Sequence, residues 1–396
     1  MCIGVQHRCV FLIPSIKIKK EGYIMILKEL SIINFRNYKN ISINLSPKIN
    51  IIYGNNAQGK TNLLESIYVL GITKSHRSFI DNNLIKSGEK KSKIKGIVKI
   101  ENLNTTLEVN IENKNKQLKI DNNDIKKVSD YISKMNIIIF YPEDLELIKG
   151  SPAIRRRYIN LELAQLYPNY LILISEYNKL LKIRNEYLKK MQKNISVDNN
   201  YFCILTNYLI EKAVNIYIYR KKFIDQINFN ATKIFKNISE LDNFYIKYKP
   251  NIDFDKYEKD YLKKILDEKI KKAYQNEIKI GSTLFGPHKD DFEFYIDNFN
   301  LKNYGSQGQQ RVAILSLKLS EIEIFKNERN TEPILLLDDV FSELDDIKKN
   351  NLLLHINDNI QTIITTTDLK NIDAEIIKQS KIINIDNGMI VNKEEV

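Results

Sequence analysis

The residues best suited to chemistry are Gly54, Asn55, Asn56, Ala57, Gln58, Gly59, Lys60 and Thr61, a GxxxxGKT loop. The compact apolar run Ile49–Tyr53 precedes it, and a helical pattern from Asn62 to Leu70 follows. A strand, a glycine-bearing turn and a helix start in that order build a phosphate cradle. The glycines let the backbone curl round a phosphate chain, and the helix start offers free N–H groups and the positive end of its dipole. Lys60 is expected to reach the β- and γ-phosphates and Thr61 to offer a hydroxyl to Mg2+, so the loop implies binding of ATP or GTP. The companion is Pro333-Ile334-Leu335-Leu336-Leu337-Asp338-Asp339, a buried-type strand that delivers two carboxylates at its end. Asp338 is expected to hold the Mg2+ shell, and Asp339 stands where a water-polarising acid is needed. Aspartate is shorter than the glutamate usual in fast ATPases, so slow turnover is expected.

A second anion site follows from Tyr304-Gly305-Ser306-Gln307-Gly308-Gln309-Gln310-Arg311, which opens a helix with Val312, Leu315, Leu317 and Leu319 expected to be buried. The Ser306 hydroxyl, the Gly308 amide and the helix dipole suit an anion, with Gln309 beside them. Alone, the block would also read as an ordinary helix start. Ahead of a carboxylate strand, it resembles the signature of the ATP-binding-cassette superfamily. Ser342-Glu343-Leu344-Asp345 resembles that superfamily's D-loop, and Thr365-Thr366-Thr367-Asp368 occupies its switch position. The resemblance implies ATP gripped between two subunits, with Asp345 among the residues near the nucleotide.

These residues need a scaffold. Strands are expected at Ile26–Asn34, Ile41–Leu45 and Ile49–Tyr53, a strand meander between Lys91 and Ile120, and a buried strand at Ile137–Tyr141. From Ala153 to about Lys272 the period turns helical, with Leu161, Ala164, Leu171, Ile174, Tyr177, Leu181 and Leu188 spaced for one face. After Gly281 alternation resumes, with a strand at Phe292–Ile296, a helix at Gln309–Phe325, a strand at Ile334–Leu337, a helix near Asp346–Ile356 and a strand at Thr362–Thr365. An α/β lobe interrupted by a helical lobe fits this order. The expected division is residues 25–150 and 276–396 for the ATPase lobe and 151–275 for the helical lobe. Residues 1–24 read as an appendage, since strand-like alternation settles in at Met25. Lys20-Glu21-Gly22 can be encoded by a ribosome-binding sequence, which points to a natural start at Met25.

Composition sets limits. With 396 residues, 43% hydrophobic and 28% charged, the chain carries enough apolar material for a core. The net charge of +12 suggests a polyanionic partner. AT-rich coding explains much of the lysine, however, and a net three charges lie in residues 1–24. Cys2, Cys9 and Cys203 form no CxxC pair, and no apolar run is long enough to span a bilayer, so a cytoplasmic protein without membrane attachment is expected. His76 and His288 lack metal-ligand spacing and read as hydrogen-bonded structural residues or groups just behind the site.

From Lys60 to Ser306 no sustained heptad array occurs, which excludes the long coiled-coil arms of chromosome-structuring relatives. The blocks Asn34-Phe35-Arg36-Asn37-Tyr38, Ser75-His76-Arg77, Tyr141-Pro142-Glu143-Asp144-Leu145, Gly150-Ser151-Pro152 and Arg155-Arg156-Arg157-Tyr158 resemble the RecF family of bacterial recombination mediators. So do Tyr170, Arg184-Asn185 and Gly286-Pro287-His288-Lys289-Asp290-Asp291, with Lys289 standing where arginine is expected. The resemblance runs from about residue 25 to the C-terminus. It implies an ABC-type P-loop ATPase lobe, a mixed sheet flanked by helices, with an inserted mainly helical second lobe and no long coiled coil. It also implies a weak, DNA-stimulated ATPase that uses ATP and Mg2+ and forms an ATP-dependent homodimer on single- and double-stranded DNA at gaps or junctions. The implied partners are RecR with RecO, and RecA indirectly, in replication, recombinational repair and the SOS response. Arg36 reads either as a nucleotide contact or as a solvated strand-end arginine, and Arg155 to Arg157 read as structural ahead of contacting DNA. An ABC-type ATPase energising a transporter is the rival. A metabolic P-loop kinase leaves the Ser306 and Ser342 blocks without a purpose.

Overall fold

The computed structural model describes residues 22–391, except residues 79, 113–114, 240, 343–348, 350–351 and 353–359. The expected D-loop residues Glu343, Leu344 and Asp345 therefore lie outside the described residues, as do most of the expected helix Asp346–Ile356 and residues 1–21.

Along the chain, β1 (Tyr23–Phe35) and β2 (Tyr38–Asn44) form a hairpin, and β3 (Ile49–Tyr53) runs into the helix α1 (Lys60–Ile72). A meander follows of β4 (Lys91–Ile100), β5 (Leu103–Glu112), β6 (Asn115–Ile120) and β7 (Asn123–Ile125). Beyond β8 (Ile137–Phe140) come helices Pro152–Leu166, Pro168–Gln192, Asn199–Ser239 and Lys259–Ile280, with β9 (Phe244–Lys249) among them. The chain continues through β10 (Asp291–Ile296), β11 (Phe299–Asn300), the helix Gln307–Arg329, β12 (Thr331–Glu332), β13 (Ile334–Asp338) and β14 (Thr362–Thr366). It closes with the hairpin β15 (Lys381–Asp386) and β16 (Met389–Val391).

The central sheet has the order β16-β15-β3-β14-β13-β8, parallel except for the β15–β16 pair. Its strands are near-continuous apolar runs because both faces are covered. Ile52, Ile137, Ile139, Leu336 and Ile363 point into a core shared with α1 and the meander. Their neighbours Ile51, Ile138, Phe140, Leu335, Leu337 and Ile364 point into a second core shared with the long helices. The antiparallel sheet of β1, β2 and β4 to β7 caps the first core.

Several boundaries differ from the sequence expectation. β1 starts at Tyr23, two residues ahead of Met25, because Tyr23 and Ile24 pair with Thr331 and Glu332 of β12. Phe244–Lys249 lies within the stretch read as helical but is a strand paired with β10. Its Phe-Tyr-Ile-Lys-Tyr-Lys alternation buries Phe244 and Ile246, a period of two that a helical window overrides. Within the helical stripe, Ala164, Ile174, Tyr177 and Leu188 are buried, while Leu161, Leu171 and Leu181 are partly so.

Arginines pin the helices to the central fold. Arg155 makes a two-pronged contact with Asp291 (2.6 and 2.9 Å), Arg156 donates to the Asp290 carbonyl (2.8 Å) and Arg157 to the Ser75 carbonyl (2.7 Å). Arg184 is fully buried and donates to Glu277, Thr283 and Thr206. His288 behaves as read, with Tyr177 at Nδ1 (2.6 Å) and the Thr283 carbonyl at Nε2 (3.2 Å).

The helix Gln307–Arg329 carries a buried charge cluster. Lys318 lies 3.6 Å from Asp144, and Glu321 accepts the Tyr158 hydroxyl. Glu162 lies close by, accepting from Gln165 (3.2 Å). Three carboxyl groups around one ammonium favour a bound proton. Burial raises Glu321 to about 7 and Asp144 to about 6, with Lys318 opposing both. Because these values lie above the ordinary ones, folding favours the protonated acids. Their contribution to stability is full below about pH 4 and is lost as pH climbs towards 7. Glu321→Gln keeps an acceptor for Tyr158 but removes one titration. Its melting temperature should vary less between about pH 5 and 7 than that of the unmodified protein, and parallel curves would count against the shared proton.

Candidate active site

The phosphate loop joins β3 to α1 and is held largely from outside itself. Tyr38 donates from its hydroxyl to the Gly59 carbonyl (2.9 Å), and Asn37 Nδ2 donates to the Gln58 carbonyl (3.0 Å). From the other side, the Gly388 amide donates to the same Gln58 carbonyl (3.0 Å) and the Asn387 amide to the Gln58 side chain (2.5 Å). Asn62 closes the frame by donating to Asn37 Oδ1 (2.9 Å). Gly59 has φ 117°, where only glycine is unstrained, and a Cβ there would lie 2.5 Å from Asn37 Nδ2. At Gly54 a Cβ would lie 2.2 Å from the Ile385 carbonyl oxygen of β15.

Lys60 folds over this loop, donating from Nζ to the carbonyls of Gly54 (2.7 Å) and Asn55 (2.8 Å). Burial lowers its pKa, while the charges of Asp339 and Asp338 hold it up. Thr61, one residue on, donates to Asp338 Oδ1 (3.0 Å) across the central sheet. Thr365 of β14 donates to the same oxygen (2.7 Å). Burial raises Asp338, and these two hydroxyls work against that rise. A glycine cradle with a lysine folded over it suits a phosphate chain, and the Thr61 hydroxyl beside the Asp338 carboxylate is the hard-oxygen pair that suits Mg2+. Asn56 and Ala57 complete the loop, Ala57 with φ 64°.

Other expected residues fall elsewhere. Ser306 caps the helix Gln307–Arg329 in a reciprocal box: the Gln309 amide donates to the Ser306 hydroxyl (3.2 Å), and the Ser306 amide to the Gln309 side chain (2.9 Å). Ser306 and Gly308 are exposed, and a Cβ on Gly308 would approach nothing closer than 3.9 Å. The helix start expected to hold a second anion thus presents an open face. Arg36 is neither a merely solvated strand end nor in described contact with the phosphate loop. It grips Glu65 of α1 with two bonds (2.8 and 2.7 Å) and donates to the Asn83 carbonyl (2.7 Å). Neither ring nitrogen of His76 has a hydrogen-bond partner, contrary to the hydrogen-bonded reading. Its ring packs between Tyr68 and Tyr141, centroids 5.2 and 4.8 Å away, and burial lowers its pKa to about 4. The Lys289 side chain is exposed.

Sequence reasoning missed the bracing of the loop by the β15–β16 hairpin, because Lys381–Val391 carries no chemistry of its own. It also passed over Arg77 as a site residue. Arg77 donates to Asn62 (3.1 Å), lies 3.7 Å from Glu65 and helps keep Asp338 ionised.

A phosphate loop tied to a carboxylate strand, with a signature-type helix start on a sheet covered by helices, defines an ATPase of the ABC/SMC type. The RecF/RecN/SMC N terminal domain family matches residues 26–390, and the chain belongs to this family, on its RecF branch. It is 42% identical over 368 residues to the DNA replication and repair protein RecF of Bacillus mycoides (strain KBAB4), spanning 92% of this chain and 98% of that protein. RecF of Bacillus cereus (strain B4264) matches with the same identity and coverage. Among solved structures, the recombination mediator protein RecF-ATP in the RecFOR pathway superposes with a TM-score of 0.87 at 32% identity, over 94% of this chain and 99% of that one. The RecF-ATPrS structure gives 0.85 at 31% identity with the same coverage. An Smc head domain from Pyrococcus furiosus, 16% identical with a TM-score of 0.51, shares the fold. No described helix is long and apolar enough to cross a membrane.

Gly59→Ala tests the loop. Its Cβ displaces Asn37 and strains the backbone, so ATP affinity should fall at least about tenfold while the far-ultraviolet circular dichroism is kept. Unchanged affinity in a nucleotide titration would refute the cradle.

Proposed function

We propose that the chain is an ATP-driven clamp on DNA. The observation that carries this is the open signature face. Ser306 and Gln309 spend their mutual hydrogen bonds within one exposed turn, while Lys60, Thr61 and Asp338 gather on the other part of the site. Two incomplete halves are best completed by a second copy. In that dimer Gly54 to Thr61 of one chain hold the phosphates, and Thr61 and Asp338 hold Mg2+. Ser306, Gly308 and Gln309 of the other chain cap the γ-phosphate end, with Asp345 nearby. Asp339 orients the attacking water, and its short side chain makes turnover slow. Bound ATP supplies the phosphoanhydride whose cleavage ends the shared grip and lets the chains part.

The ATPase lobe, 25–150 with 276–396, carries both halves, and the helical lobe, 151–275, extends the inner face of the clamp. Similarity to RecF proteins of the RecFOR pathway supports a role in the cytoplasm with RecO and RecR, aiding the loading of RecA at gaps or junctions between single- and double-stranded DNA. DNA in the clamp stimulates the weak ATPase, since a closed dimer keeps the capping residues in place. The transporter reading is disfavoured by the close match to RecF along nearly the whole chain.

Size-exclusion chromatography and DNA retention with and without ATP test the clamp. The unmodified protein should dimerise and retain DNA only with ATP. Ser306→Arg should bind ATP with affinity within about threefold of normal yet stay monomeric, because its phosphate loop is untouched. ATP-independent DNA retention by a monomer would overturn the clamp. Retention should also fall steeply with salt if the basic residues meet phosphates.

A further inference from the structure

Thr365 stands at the end of β14, buried to 1% exposure, in register with Asp338 of β13 on one side and Ile52 of β3 on the other. Alternation along both strands sets its direction. Ile363 and Leu336 point into the core that contains α1, so Thr365 and Asp338, each two residues further on, leave their strands on that same side. There the Thr365 hydroxyl makes two close bonds of opposite sense, with the Leu337 carbonyl a distant rival acceptor at 3.5 Å. It donates to Asp338 Oδ1 (2.7 Å) and accepts the backbone amide of Asp339 (2.9 Å). A hydroxyl has one proton to give, and this one goes to Asp338.

The amide bond coincides with an unusual backbone. Asp339 has φ 52°, in the left-handed region that side-chain-bearing residues seldom enter. The strand must turn sharply there, and the Thr365 oxygen receives the amide that the turn swings round. One side chain therefore sets the carboxylate of the first aspartate and the backbone of the second. Thr61 approaches the same Asp338 oxygen from α1 (3.0 Å), so the two hydroxyls fix that oxygen from opposite elements.

We infer that Thr365 is a positioning residue of the ATPase site: through its paired bonds it holds Asp338 and Asp339 in their working geometry before nucleotide arrives. This rests on the ATPase reading of the site. It gives the switch position a task within its own chain, directed at the two aspartates. The Thr365 hydroxyl is committed to the two aspartates and acts through them. Its loss should show in how well magnesium assists nucleotide binding, and in kcat more than in KM.

Thr365→Val preserves shape and removes both bonds. In a titration with a fluorescent ATP analogue, affinity in EDTA should match the unmodified protein, whereas the gain on adding Mg2+ should shrink about tenfold. The kcat should fall about ten- to a hundredfold with KM changed less than about threefold. Thr365→Ser should restore both to within about threefold. Thr362→Val, on the same strand but bonded only weakly to the Ile360 carbonyl (3.4 Å), controls for losing any buried hydroxyl and should leave both unchanged. If the valine variant melts early, Thr365→Cys keeps the volume with only a weak S–H donor and should show the same losses to a smaller degree. A Thr365→Val or Thr365→Cys protein with an unaltered magnesium effect and kcat overturns the inference. An unmodified protein that neither binds nor cleaves ATP overturns instead the ATPase reading, and Lys60→Ala provides the baseline for telling these apart.

Discussion

The phosphate loop takes much of its support from outside itself. Its backbone carbonyls face inward to Lys60 at Gly54 and Asn55, and outward to Tyr38, Asn37 and Gly388 at Gly59 and Gln58. Every outward partner belongs to an element far away in sequence: the β1–β2 turn from before the loop, the β15–β16 hairpin from the chain's last described residues. The antiparallel sheet and the end of the central sheet thus both contribute bonds to the loop. The loop is braced by these partners in the folded chain, and a ligand that binds only the folded state adds to its stability.

The central sheet makes this arrangement possible by separating two cores with the alternate residues of the same strands. One face seats α1, which carries Thr61 and Glu65; the other seats the helix that starts at Ser306. Asp338 ends a strand between them, with its carboxylate on the α1 side. The Lys318, Asp144 and Glu321 cluster lies on the opposite face, where a desolvated charge network fixes the signature-type helix against the segment that follows β8. The helix that follows the phosphate loop and the helix that starts at Ser306 thus pack on opposite faces of one sheet.

Much of this was legible from residue types. The loop, the carboxylate strand and the Ser306 helix start each combine a local pattern with a chemical demand, and local patterns survive folding. Long-range hydrogen bonding was not legible. Nothing in Asn387-Gly388 announces a partner at Gln58, because a backbone amide leaves no mark in the sequence. Arg36 and His76 show the same limit. Their residue types did not disclose their partners: Glu65 takes the arginine in two bonds, and two tyrosine rings, with no hydrogen bond, enclose the imidazole read as hydrogen-bonded. Three consecutive arginines, Arg155 to Arg157, are charged enough to suggest DNA. Each instead reaches a different protein acceptor, because adjacent helical positions point about 100° apart.

The 41-residue helix Asn199–Ser239 is about 60 Å long and packs against the helix that begins at Ser306, where Gln226 and Lys222 both bind Glu328 (2.6 and 2.8 Å). That junction lies well along the long helix, leaving roughly 23 to 27 residues, about 35 to 40 Å, towards Asn199. The Asn199 half is not free: Phe202, Leu205 and Leu209 are buried, and Arg184 of the helix Pro168–Gln192 donates to Thr206 (3.0 Å). Any shift of the long helix at Glu328 is therefore carried into the helices packed along its other half, as a movement of the whole group.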